Sequence, residues 1–453
     1  MNVKEVNWRR FGLHSPLGKA FMIGVLILIL QIPIMEINGL IGERSVRYHN
    51  VVTEITEKWG GEQTVNGPFL VIPVDTASNA VASETAARPI MRTHYLMVTP
   101  IYLHAKFKVI SDIRYRGIYE APLYHTDANL KGAFDLRPQL QELEENQSLR
   151  LKDAYLAVAV GDVKAIQSPI KFLWNEHEAA PSPGGGMADV SGVHMRLPVG
   201  SIRTDAPNDF NLAIRLKGAQ ALYVSPVGQE SNIEIDGDWL DPSFQGNWLP
   251  VERKLEKDAF YAKWDIPFLA KGVPASWTGS APALLDQVSP LVGVSRPAAG
   301  AGYQEISRSV KYALLFLTCT FACLWLFEVI SGVRIHVMQY LFTGLTLCLF
   351  YLLFLSLSEH LGTWAAYLIA CGAVIGQVGW YAGQFIRRRK LTIAFVALLI
   401  VLYGYLLSLL NEQDLALLYG SLGLFVILSA AMFATRRIDW YNLRGGEGDI
   451  REA

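Results

Sequence analysis

Six long apolar runs constrain this chain more than any other feature of its sequence. One lies near the N-terminus and five follow one another in the last third, at 20–35, 312–330, 337–357, 363–384, 391–410 and 415–435. Each of the five C-terminal runs has roughly the 20 residues that a helix needs to cross about 30 Å of hydrocarbon. Five successive runs with almost no polar face are not expected of helices in a soluble core. The sequence therefore predicts six transmembrane helices.

The first run has the layout of either a cleaved signal peptide or an uncleaved anchor. Lys4, Arg9, Arg10 and Lys19 form a basic front that precedes the apolar stretch. No pair of small residues of the kind that a signal peptidase recognises follows the run, and Pro33 suits such a site poorly. We therefore favour an uncleaved signal anchor over a signal peptide.

The basic residues between the runs predict the orientation. The segment before the first run is basic, the loop at 387–390 is entirely basic, and Arg436 and Arg437 follow the last run. The short loops at 358–362 and 411–414 contain no Lys or Arg. Because loops rich in Lys and Arg stay in the cytoplasm, we expect both termini to be cytoplasmic and the long segment after the first run to lie outside.

The predicted fold class is a membrane protein with an N-terminal transmembrane anchor, a large mainly-β external domain and a C-terminal bundle of five transmembrane helices. The limits are 1–37 for the cytoplasmic N-terminus and first helix, 38–309 for the external domain, 310–435 for the bundle and 436–453 for a cytoplasmic tail. The net charge of −1 provides no basic field, so a nucleic-acid partner is not expected. The apolar helices are expected to have the lipid bilayer as their partner.

Alternation of apolar and polar residues predicts that the external domain is mainly β. Apolar residues occupy the odd positions of 101–109, which is typical of a strand with one buried face. Further strands are predicted at 153–160, 212–218, 219–224 and 232–237. Since 219–224 follows 212–218 directly, we expect a hairpin that turns near residues 217–218. The domain is predicted to be a sandwich or two stacked sheets, preceded by a helix at 43–58.

Motifs for catalysis or metal binding are weak. The histidines of the external domain form no HxH or HExxH pattern, and all four cysteines lie inside predicted spans. One SxxK match, from Ser168 to Lys171, lacks the SDN and KTG companions of a penicillin-binding site. We expect no catalytic residue, no metal and no cofactor.

Polar residues at the ends of the second and third spans form the candidate functional cluster, since ionisable groups at membrane depth need a partner or a role. The cluster comprises Glu328, Arg334, His336, Gln339, Glu359 and His360. Glu328 and Arg334 are interpreted as an ion pair that fixes the turn between the spans, with a proton or ion path as the alternative. Glu359 and His360 are interpreted as a surface cap, with a pH-sensing or ion-binding role as the alternative.

The stretch 311–362 resembles the CreD family of bacterial inner-membrane proteins. The motifs that carry the resemblance are FE at 327–328, R-x-H-x-x-Q-Y at 334–340, LFYLL at 349–353 and LSEH at 357–360. The segments NGPFLVIPV at 66–74 and TRRIDWY at 435–441 are similar as well, so the resemblance covers nearly the whole chain. It implies a multi-pass protein of the inner membrane whose external domain is periplasmic.

The resemblance also implies a role in cell-envelope integrity and stress response, membership of a two-component regulon, and a link to colicin tolerance. It implies no reaction and no catalytic residues. The favoured hypothesis is a scaffold whose β domain binds a periplasmic or cell-wall partner, with a membrane-protein partner also open. The alternatives are a transporter, which the lack of a charged residue at mid-span disfavours, and a membrane enzyme with Glu359 and His360 as an acid–base pair.

Overall fold

The computed structural model describes residues 16–78, 90–186, 191–272, 274–278, 291–296, 301–331, 333, 335–386, 388–411 and 416–436. These residues form two compact units. One unit spans Asn50–Ala299, and the other combines Met1–His49 with Gly300–Ala453. The predicted domain limits, 38–309 for the external domain and 310–435 for the helix bundle, are not tested by this division into units and stay predictions.

The first unit is built from strands, as the alternation of apolar and polar residues predicts. In chain order they are β1 Gln63–Ser78, β2 Ile90–Val98, β3 Tyr102–Arg116, β4 Tyr119–Phe134, β5 Gln147–Leu149, β6 Tyr155–Val160, β7 Ile166–Trp174, β8 His177–Glu178, β9 Pro181–Pro183, β10 Gly192–Arg196, β11 Asn208–Ala219, β12 Ala221–Val224, β13 Glu230–Gly237, β14 Ser243–Gly246, β15 Glu252–Leu255, β16 Phe260–Ile266, β17 Ser276–Thr278 and β18 Val292–Ser295. A short helix, α2 at Arg137–Gln141, follows β4. The predicted mainly-β character is confirmed.

The strands form two sheets within the described residues. One follows the order β14-β18-β12-β1-β6-β10-β9, with β2 and β5 also paired to β1 and β17 paired to β2. The other follows the order β15-β16-β13-β3-β4-β11-β7-β8. Most neighbours are antiparallel, while β1 with β12 and β3 with β13 are parallel. Both sheets contribute to one hydrophobic core, in which the side chains of Phe107, Trp174 and Trp264 are fully buried.

The predicted hairpin between 212–218 and 219–224 is wrong, although both strands exist. β11 pairs with β4 and β7 in one sheet, whereas β12 pairs with β1 and β18 in the other. Gln220, the single residue between the two strands, has a φ of 63°. A hairpin needs a loop of at least about two residues. The chain therefore passes from one sheet to the other at this point.

Lys271 is a buried cation in the β unit. Its Nζ donates hydrogen bonds to the Gly228 carbonyl and, at 3.1 Å, to Ser231 Oγ. Burial lowers the pKa of Lys271 to about 8, against a smaller opposing effect of Glu230. The charged amine is thus held in the fold at a cost in desolvation.

We expect the β unit to gain stability as the pH rises from about 8 to about 10, by roughly 1–2 kcal/mol. In this range Lys271 is still protonated in the unfolded chain and is neutral in the folded chain. The free energy of unfolding therefore increases as the pH rises. The measurement is the urea midpoint of buried-tryptophan fluorescence in the detergent-solubilised chain. Lys271→Met is the control, and equal pH profiles for the two proteins would contradict the prediction.

The second unit is helical. The chain's first helix, α1 at Pro16–Trp59, begins in this unit and ends in the β unit, and it includes the helix predicted at 43–58. The remaining helices are α3 Ala301–Lys311, α4 Ala313–Ser331, α5 Val337–Leu361, α6 Thr363–Ile386, α7 Arg389–Asn411 and α8 Ala416–Thr435. Each of the six predicted apolar runs overlaps one helix of the chain.

Several of these helices are long and apolar enough to cross a membrane. Within the described part of the chain, α1, α5, α6 and α7 meet this test individually, and the pair α3–α4, bent by 44°, meets it as one broken span. A shorter apolar segment, Leu418–Ser429, lies within α8. The chain therefore has the helices of a multi-pass membrane protein, and a total of six crossings remains a prediction.

The helices of this unit approach one another closely at Gly344 of α5. A Cβ atom at this position would lie 2.7 Å from Phe321 Cζ of α4 and closer still to Leu30 Cδ1 of α1. Small residues allow such close contact between helices in lipid. Gly344 is therefore the point at which α1, α4 and α5 meet.

Candidate functional site

Glu328 of α4 forms an ion pair with Lys19 at the beginning of α1. The Lys19 ammonium donates a hydrogen bond to Glu328 Oε1, and only 18% and 15% of the two side chains are exposed. Arg334, the partner predicted from the sequence, lies outside the described residues. The ion pair joins two helices whose paired residues are 309 positions apart in the chain.

The second oxygen of Glu328 has a buried polar neighbour. Glu328 Oε2 and the Tyr340 hydroxyl are both buried without a hydrogen-bond partner in the described part of the chain. The carboxylate is near enough to this hydroxyl to act on it electrostatically, and Phe321 packs edge-on against the Tyr340 ring at 5.5 Å. A hydrogen bond from Tyr340 to Oε2 would give the carboxylate a second donor.

His336 and Gln339 cap the N-terminus of α5. His336 Nδ1 accepts a hydrogen bond from the Met338 amide at 3.2 Å, and Gln339 Oε1 accepts one from the His336 amide at 2.8 Å. This is a capping box with histidine in the place usually taken by Ser or Thr. It satisfies backbone donors that the first turn of a helix otherwise leaves unpaired. The sequence motif R-x-H-x-x-Q-Y thus contains a helix start.

Glu359, near the C-terminal end of α5, is held by residues of two other helices. The Tyr303 hydroxyl of α3 donates to Glu359 Oε1 at 2.9 Å, and Arg44 of α1 lies 3.7 Å from Oε2. The Glu359 side chain is 11% exposed, while Arg44 is 41% exposed. Tyr48, one turn beyond Arg44, packs its ring 5.8 Å from that of Tyr303. This carboxylate therefore connects α1, α3 and α5.

His360 is exposed, unlike its neighbour Glu359. Consecutive residues of a helix point about 100° apart. Glu359 therefore faces α1 and α3 while His360 is exposed, and the acid–base pair stays a hypothesis. Glu412 and Asp414, the acidic residues of the other loop without Lys or Arg, lie outside the described residues.

Four of the six residues in the cluster predicted from the sequence form three groups: an ion pair at Glu328, a helix cap at His336 and Gln339, and a carboxylate contact at Glu359. Arg334 lies outside the described residues, and His360 is exposed. Sequence reasoning missed the partners of these groups, Lys19, Arg44, Tyr303 and Tyr340. Lys19 and Arg44 flank the first apolar run, where a charge near a helix end is the available signal. No group of three or more His, Cys, Asp or Glu side chains suited to a metal ion occurs among the described residues.

Comparison with known proteins decides the family. The family model for "Inner membrane protein CreD" matches residues 15–441. The chain belongs to the CreD family. The CreD protein of Escherichia coli (strain K12) is 34% identical over 421 residues, which is 92% of this chain and 91% of that protein. The resemblance of the sequence to CreD proteins is confirmed, and so is the assignment to a family of inner-membrane proteins.

Solved structures give much weaker likenesses. An M1 zinc metallopeptidase from Deinococcus radiodurans is 9% identical, with a TM-score of 0.24 over 44% of this chain and 42% of that chain. A mutant of the same metallopeptidase bound to a Tyr-Ser-Ala substrate gives a TM-score of 0.25 over the same shares. Similarity at this level supports no inference about the fold or activity of the CreD chain.

Proposed function

We propose that the chain supports cell-envelope integrity as a non-enzymatic scaffold of the bacterial inner membrane. In this proposal both termini are cytoplasmic, the β unit lies in the periplasm, and it binds a periplasmic or cell-wall partner. The helices anchor the β unit and transmit its state to a membrane-protein partner. Membership of a two-component regulon, a role in stress response and an effect on colicin tolerance belong to the same proposal.

The observation that supports this proposal is that the polar residues at the helix ends form contacts between helices or cap a helix. Glu328 and Glu359 both hold α1, through Lys19 and Arg44, and His336 with Gln339 caps α5. These residues stabilise the arrangement of helices and leave the large β unit as the surface for binding. α1, the helix held in this way, is also the helix that leads into the β unit.

A complementation test separates the scaffold from a transporter or enzyme that uses Glu359 and His360. A strain that lacks the protein receives full-length wild type, Glu359→Gln or His360→Ala, and its detergent and colicin sensitivity are scored. We expect both variants to restore at least about half of the wild-type tolerance, because glutamine still accepts the Tyr303 hydrogen bond and the His360 side chain is exposed at the end of α5. Loss of tolerance in His360→Ala with normal membrane accumulation would contradict the scaffold.

Glu359→Ala differs from Glu359→Gln in the expected outcome. It removes the hydrogen bond that Glu359 accepts from Tyr303 and the ion pair with Arg44, which costs roughly 1–3 kcal/mol. We expect lower accumulation in the membrane and a lower melting temperature, with the remaining protein active. Normal stability of Glu359→Ala would show that Glu359 does not hold α1.

A further inference from the structure

The outer face of the β3–β4–β11–β7 sheet has a depression where β7 leaves β11. Lys171 lies opposite Ala213 and Gln167 lies opposite Arg215, so three residues of β7 face the single residue Ile214. Pro169, in the middle of the three, has no amide proton to donate to β11. This bulge of three residues against one opens a cavity of about 300 Å³ beside the strand.

The two sides of this cavity have different charges. Lys171 lies on the β7 side, exposed and without an ion pair among the described residues. Arg215 and Asp127 lie on the other side, where Arg215 Nε donates to Asp127 Oδ1 at 2.6 Å. The Asp127 charge is thus already matched by Arg215. The charge left over in the cavity is that of Lys171.

Neutral polar and apolar groups complete the lining. Asn129 of β4 and Ser168 of β7 supply an amide and a hydroxyl, which donate hydrogen bonds to an oxyanion. Ala213 lies directly opposite both Lys171 and Asn129 in the sheet and is the apolar side chain of the lining on this face, while Ile214 and Ala128, each 3% exposed, belong to the core under the sheet. A cavity with one unmatched cation, nearby donors and one small apolar side chain is suited to a small ligand with an anionic head and a short apolar part.

We propose that this cavity binds a small carboxylate or phosphate ligand, with the anionic group on Lys171 and the apolar part on Ala213. The proposal rests on the proposed function, because it names the ligand class that the β unit recognises. It also gives a role to the SxxK match from Ser168 to Lys171. In this proposal Ser168 and Lys171 act in binding the anionic group.

The test uses the full chain in detergent and two probes, N-acetylalanine for a carboxylate and glycerol 3-phosphate for a phosphate. Binding is followed by ligand-observed saturation-transfer NMR, with the uncharged N-acetylalaninamide and glycerol as reference compounds. We expect saturable binding of at least one anionic probe and about tenfold weaker binding of its uncharged reference. Binding of the carboxylate alone identifies a peptide or sugar-acid source, and binding of the phosphate alone identifies a headgroup or free phosphate.

Three substitutions locate the binding site. Lys171→Met should weaken binding about tenfold, and Ala213→Phe, which fills the cavity from its open side, should abolish it. Lys131→Met is the matched control, because Lys131 is an exposed lysine of β4 outside the cavity lining. Unchanged fluorescence of the buried tryptophans shows that each variant is folded. Equal binding by Lys171→Met and Lys131→Met, or no saturable binding to wild type, would overturn the proposal.

Complementation distinguishes failure of this proposal from failure of the scaffold. If Lys171→Met loses the ligand yet restores envelope tolerance, the binding site is real and the envelope role does not use it. If wild type binds neither probe while it restores tolerance, the ligand class proposed for the cavity is wrong and the scaffold stands.

Discussion

Glu328→Leu should destabilise the helical unit by about 3 kcal/mol or more, because it leaves the ammonium of Lys19 buried without its carboxylate. The expected effect on the detergent-solubilised chain is a fall in melting temperature of roughly 6–12 °C. Lys19→Met should have a similar effect, since it leaves the Glu328 carboxylate unpaired beside the Tyr340 hydroxyl. Both variants should also accumulate less in the membrane.

The double variant Lys19→Met/Glu328→Leu makes this prediction specific to the ion pair. Two apolar side chains of similar size leave no unpaired charge, and replacing a buried pair in this way is often neutral or stabilising. We therefore expect the double variant to melt within about 3 °C of wild type. If the two losses simply add, Lys19 and Glu328 do not act as a pair.

Gly344→Leu should disrupt the place where α1, α4 and α5 meet. A Cβ atom alone already clashes with Leu30 and Phe321, and the rest of the leucine side chain has no room. Overpacking of this kind costs about 1–3 kcal/mol or more, which exceeds the gain of up to about 1 kcal/mol from replacing a helical glycine. We expect a melting temperature lower by several degrees and reduced tolerance in the complementation test.

Gly376→Leu is the matched control for Gly344→Leu. Gly376 lies in the apolar helix α6, and a Cβ atom there meets nothing within 4 Å. The same substitution should therefore leave stability unchanged or raise it slightly through helix propensity. Equal losses in the two variants would mean that neither reports on contact between α1 and its neighbours.

The sequence predicts the elements of this fold well because their periodicity is local. The run at 337–357 marks α5 at Val337–Leu361, and the alternation at 101–109 marks β3. Strand pairing is not local, which is why the hairpin was wrong. The alternating pattern is the same whether β12 pairs with β11 or, as it does, with β1 and β18.

The sequence indicates which polar residues near the helix ends need partners, but it identifies those partners only in part. Burial cost singled out Glu328 and Glu359 as groups that need partners, and both have them. The identity of Lys19 as partner depends on how α1 packs against α4, which no local pattern encodes. The cap at His336 and Gln339 is different, because a capping residue three positions before a glutamine is a readable helix start.

The pairing of β1 with β12 and of β12 with β18 has a consequence for biogenesis. β1 opens the unit at residue 63, whereas β18, which borders β12, ends at residue 295. A chain is synthesised from its N-terminus, so β1 is made long before the strands that complete its sheet. The β unit therefore needs nearly all of its residues before it can fold, and its last strand is made shortly before the first helix of the C-terminal set. We infer that a ribosome pause or a nonsense codon within this segment yields an open sheet edge for chaperones and proteases to recognise.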